Sequence, residues 1–118
     1  MRFMTIVKAA ETQGPPPESL MHAIGAHAQQ ELQHGRMIDM GGLYPTSAGT
    51  RVRLSGGKVT VLDGPFTEAK EVVGGYAIFE LPSREEAIEA ARRFMELHRE
   101  HWPDFEGETE VRQIASNG

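Results

Sequence analysis

The chain has 118 residues, 17 Asp and Glu against 12 Lys and Arg for a formal net charge of -5, and no cysteine. That length predicts one domain over residues 1–118, and the charge, with no run of basic residues, excludes the footprint of a nucleic-acid or anionic-membrane binder. The missing cysteines exclude disulfides, iron–sulfur clusters, thiolate nucleophiles and Cys-type zinc sites.

Arg2 to Ala9 is apolar on both faces and reads as a central strand. It is too short for a signal peptide or a membrane span, so the chain is expected to be cytoplasmic. "TQGPPPE" breaks the strand, and Pro17 opens a helix running to about His34. Leu20, Met21, Ile24, Ala28 and Leu32 fall on one helical stripe, the expected core face, and Gly35 stops the helix in the left-handed region. "RMIDMGGLYP" reads as a strand whose Gly41-Gly42 pair marks a bulge or a close backbone approach. "TRVRLSGGKVTVLD" is a hairpin turning on Gly56-Gly57, with Leu54 opposite Val59 and Val52 opposite Val61 on one face and Arg51, Arg53 and Thr60 on the other. The alternation carries Asp63 onto the apolar face. Val72 to Leu81 is a further strand. Ser83 and Glu86 form a capping box ahead of a helix with Ala87, Ile88, Ala91, Phe94 and Met95 inward. "HREHWPDFEGE" is a loop, and Thr109 to Ile114 a last strand.

The order β-α-β, hairpin, β-α-β predicts an α+β domain, a ferredoxin-like split βαβ with an inserted β-hairpin. Such a sheet carries helices on one face only. Its other face, with members of "TIV" and "YAIFE", needs a cover, and a second copy of the chain is the simplest one, so a homodimer is expected.

"DGPFTEAKEVVGGYAIFE" followed by "SREEAIEAARRF" resembles the DGPF-domain branch of the YCII-related family, and the "GGLYP", "RLSGGK" and "EGETEVRQI" segments fall in the order that branch shows. The resemblance implies a dimeric α+β-barrel. It also implies a His–Asp pair suspected of enzymatic chemistry, or a regulatory role near alternative sigma factors. Aligned on Gly35, the family's histidine falls at Ile24, and His27 comes one turn later.

Asp63 has two readings. Its carboxylate can accept N–H groups beyond Pro65 in an Asx-turn, or face an apolar pocket with a raised pKa as a general base. His27, at the edge of the helix stripe, is a half-exposed packing residue or the partner of Asp63. Ile24, Leu43, Tyr44 and Phe66 are the expected pocket walls. Lys70 and Glu71 are a solvated pair or stand at the pocket mouth. Arg51 and Arg53 share a face that suits a carboxylate or phosphate, which points to an anionic small molecule. His98, His101 and Asp104 lack a metal motif around them, so no metal and no cofactor are expected; Trp102 and Phe105 read as dimer anchors. Two functions follow: a small-molecule-binding protein with a pocket between first helix and sheet, acting as a cofactor-free lyase or isomerase, or a non-catalytic regulatory or interaction module.

Overall fold

The computed structural model describes residues 1–116. A four-stranded antiparallel sheet has the order β2 (Met37–Gly42), β5 (Val72–Glu80), β1 (Arg2–Ala9), β6 (Gly107–Gln113). β1 is indeed central: Thr5 pairs with Ala77 on one side and Val111 on the other. The helices α1 (Glu18–Gln33) and α2 (Arg84–His101) pack on one face, giving the ferredoxin-like α+β plan that the element order predicts. Among the described residues no helix is long and apolar enough to cross a membrane.

Strand alternation explains the core. Phe3 and Thr5 of β1 and Ala77 and Phe79 of β5 point to the helices and are buried, meeting Ala28 of α1 and Ala87 of α2. Phe3 and Leu20 are the largest fully buried side chains, each stabilising the fold by about 1.5–3 kcal/mol. Met4, Ile6, Tyr76 and Ile78 occupy the alternate positions on the helix-free face and stay half-buried. The Gly41-Gly42 pair serves close approach: a Cβ on Gly41 would stand 2.9 Å from the Tyr76 ring.

The inward face of α1 is rotated from its expected stripe. Leu20 and Ala28 are buried and Ile24 half-buried, but Met21 and Leu32 are about half exposed and Glu31 lies inside. Arg36, just past the Gly35 stop at φ 70°, allows this by donating Nε and Nη2 to the Glu31 carboxylate at 2.7 and 3.2 Å. A buried carboxylate needs such a partner. The Ser83 hydroxyl caps α2 by accepting from the Glu86 N–H.

The hairpin β3 (Thr50–Ser55) and β4 (Lys58–Asp63) has the expected register, Leu54 opposite Val59 and Val52 opposite Val61, with positive φ at Gly56 and Gly57. It forms a separate two-stranded sheet, and its apolar face, Val52, Leu54, Val59 and Val61, is 67–72% exposed. The chain is accordingly flat, with extents of 45 × 42 × 20 Å and a radius of gyration of 15.9 Å, against about 13.5 Å for a compact chain of this length.

Candidate functional site

Several helix-facing positions of the sheet are small where β1 and β5 run side by side: Thr5, Gly75 and Ala77, beside Val7, raise little bulk above the strands. Most α1 contacts go to α2 and β2, and most α2 contacts to β1 and β6. The space left between helices and sheet is a cleft of about 750 Å³, within the size range of small-molecule sites. Its lining is mostly apolar and includes no lysine or arginine among the described residues.

Leu20, Ile24, His27 and Ala28 give the α1 wall, Leu43 and Tyr44 the rim after β2, and Phe94, His98, Trp102 and Phe105 the opposite end. The His27 side chain is 19% exposed, and its Nε2 stands 4.0 Å from Glu31 Oε1. One turn of helix thus places a carboxylate beside the imidazole, with Arg36 donating to both oxygens of that carboxylate. An imidazole so placed can give or take a proton at the cleft wall. At the rim, Glu11 accepts from the Thr46 N–H and hydroxyl, both at 2.6 Å, and these bonds hold its carboxyl below the usual carboxylate range.

Of the residues singled out in the sequence, Ile24, His27, Leu43 and Tyr44 come together around the cleft, while Asp63, Phe66, Lys70 and Glu71 lie outside it. Asp63 needs correction on both readings. It is exposed at the base of β4, and its carboxylate accepts from the Thr50 hydroxyl across the ladder at 3.0 Å. The hairpin stands off the core, so its apolar face has no pocket beneath it within one protomer. Nor does an Asx-turn carry the reversal: the Phe66 N–H donates to Thr46 Oγ1 at 3.1 Å, and the Gly64 N–H to the Gly49 carbonyl at 2.8 Å. Gly64 sits so close to the Thr46 carbonyl that a Cβ there would fall 1.7 Å from its oxygen. The Gly64–Pro65 peptide is cis.

The Phe66 ring lies under the Arg51 guanidinium, 3.9 Å from its carbon, and Arg51 also pairs with Glu68. Arg51 is therefore engaged on the hairpin and offers nothing to an anion in the cleft. Lys70 and Glu71 are exposed, and Glu71 borders a shallow acidic depression with Asp104, Glu106 and Glu108.

The pattern of α2 could have revealed His98. Continued by one turn, the stripe of Ala87, Ala91 and Phe94 reaches residue 98, which is 7% exposed. Trp102 and Phe105, expected at a dimer contact, wall the cleft with it.

An uncharacterized protein of Rhizobium meliloti (strain 1021) is 33% identical over 75 residues, which is 64% of this chain and 60% of that protein's length. The chain thus spans less than two thirds of this curated relative. The model of the YCII-related domain matches residues 1–100, from the first strand through nearly all of α2 and so across both helical walls of the cleft. A domain match of that extent, on a ferredoxin-like α+β frame, makes this chain a member of the YCII-related domain family.

Proposed function

We propose that this protein binds a small, largely apolar molecule in the cleft between its helices and sheet, and that His27 exchanges a proton with that molecule in a cofactor-free lyase- or isomerase-type step. The cleft itself carries the reading: about 750 Å³, mostly apolar walls, and an imidazole on one wall with Glu31 behind it. The resemblance to the DGPF branch agrees with a dimer whose helix-free sheet faces meet, covering Met4, Ile6, Tyr76 and Ile78. Asp63 takes no part in this step within one protomer.

A neutral fluorescent probe, N-phenyl-1-naphthylamine, tests the binding reading. Wild type should bind it with a rise in probe emission, and Ile24→Trp, which fills the cleft from its α1 wall, should weaken binding by about tenfold or more. Equal binding to both proteins would place the probe elsewhere and sink the proposal.

A further inference from the structure

The cleft ends at a polar atom that the fold leaves unused. His98, in the last turn of α2, is 7% exposed, with its ring centroid 4.8 Å from that of Phe94 and 4.7 Å from that of Phe105. Its Nδ1 lies 3.0 Å from the Phe94 carbonyl one turn back, and a carbonyl only accepts, so Nδ1 carries the proton. Burial pushes this imidazole below its ordinary pKa and keeps it neutral, against the opposing pull of that same hydrogen bond. Nε2 is then a bare acceptor. It has no hydrogen bond to another described residue, and it is not sealed in the core: among the described residues the fully buried, unpartnered side-chain polar atom is Thr109 Oγ1. Nε2 thus keeps access to a partner from outside the packed core, and His98 lines the cleft. A phenylalanine would serve packing here equally well, since the rings of Phe94 and Phe105 flank the position, with the Trp102 ring 5.0 Å beyond Phe105.

We propose that His98 Nε2 is the hydrogen-bond acceptor that fixes the molecule in the cleft, and that this molecule is flat, aromatic and uncharged, with one ring N–H or O–H donor. The three rings supply faces and edges for a planar partner. A lining without lysine or arginine offers a negative charge no counterion. An unpaired acceptor in a stretch of apolar and aromatic wall selects a donor, because a ligand without one leaves it unpaired and desolvated. The proposal rests on the binding reading above and adds the contact that orients the ligand.

Indole, which has an N–H donor and no comparable acceptor, and 1-methylindole, which has neither, form the probe pair, titrated by calorimetry. Wild type should bind indole about tenfold more tightly, the equivalent of one buried hydrogen bond. His98→Phe keeps the ring packing, removes the acceptor, and should bind both compounds alike. In wild type the ¹⁵N resonance of His98 Nε2 should move with indole and not with 1-methylindole, a readout that needs no variant. Equal affinities in wild type, or a preference that survives His98→Phe, overturn the role of His98 and leave the cleft standing. If neither indole nor the naphthylamine binds, the cleft reading falls and takes this proposal with it.

Discussion

Gly64→Ala should be among the most damaging single-methyl additions this chain can receive, and the structure gives its size. The new Cβ would lie 1.7 Å from the Thr46 carbonyl oxygen, about 1.3 Å short of the 3.0 Å below which real contacts essentially never fall. The obstacle is backbone, so no side chain can swing away. Thr46 is itself held by two bonds to Glu11 and by the Gly49 N–H donating to its carbonyl at 2.9 Å. To make room the turn must give up a hydrogen bond such as Gly64 N–H to Gly49 O, about 1 kcal/mol, with about 1–3 kcal/mol more for the displaced chain. Spread over 118 residues, an unfolding entropy of about 2.1 cal/mol/K per residue turns each kcal/mol into about 4 °C. Thermal unfolding followed by circular dichroism should therefore show a Tm about 8–16 °C lower. Gly25→Ala is the control, because Gly25 is exposed in the middle of α1 and a Cβ there meets nothing within 4 Å. Its helix propensity alone should raise Tm by about 3–4 °C. A Gly64→Ala variant melting within about 3 °C of wild type would refute the close-approach argument.

His98 also shapes the pH dependence of stability. Its folded pKa is lowered, chiefly by burial, so as pH falls through about 6.5 the unfolded chain takes up a proton that the folded chain refuses. That cost is absent above the unfolded pKa and grows as pH falls toward the folded one; wild type should thus lose more Tm between pH 7 and pH 5 than His98→Phe, and parallel losses would count against the buried neutral imidazole. For the proposed dimer, Ile78→Glu places a charge in the middle of the helix-free sheet face, and light scattering should find wild type dimeric and the variant monomeric at micromolar concentration. A monomeric wild type would end the dimer proposal.

The frame of this fold is legible in the sequence because it rests on period. The apolar run of β1 marks it as a central strand and the Gly56-Gly57 turn sets which hairpin residues stand opposite each other, and both are found as expected. The α1 stripe is legible only in part. Apolar spacing selects Met21 and Leu32 as readily as Leu20 and Ala28. What turns Glu31 inward is Arg36, a residue beyond the end of the helix, and helical periodicity carries no information about it. The site divides along the same line. Ile24 and His27 follow from the helix, whereas the pocket reading of Asp63, one of its two, rests on strand alternation. Alternation tells which face a side chain takes; it does not tell whether anything packs on that face, and here the hairpin stands clear of the core.

The Asp-Gly-Pro-Phe turn is best understood through Thr46, a residue with no distinguishing mark in the sequence. Its hydroxyl donates to the Glu11 carboxylate and accepts from the Phe66 N–H, and its carbonyl fills the place where any side chain at position 64 would sit. Glu11 follows β1 and lines the cleft. The base of the hairpin is thereby tied to the rim of the cleft through one side chain and two polar contacts. Glycine at 64 admits the Thr46 carbonyl, and Phe66 supplies the N–H that completes the tie while its ring supports Arg51. Asp63 closes the end of the ladder by accepting from Thr50. Asp63, Gly64 and Phe66 thus find their explanation in how the base of the hairpin is held, and the proposed proton exchange rests on His27 of α1 instead.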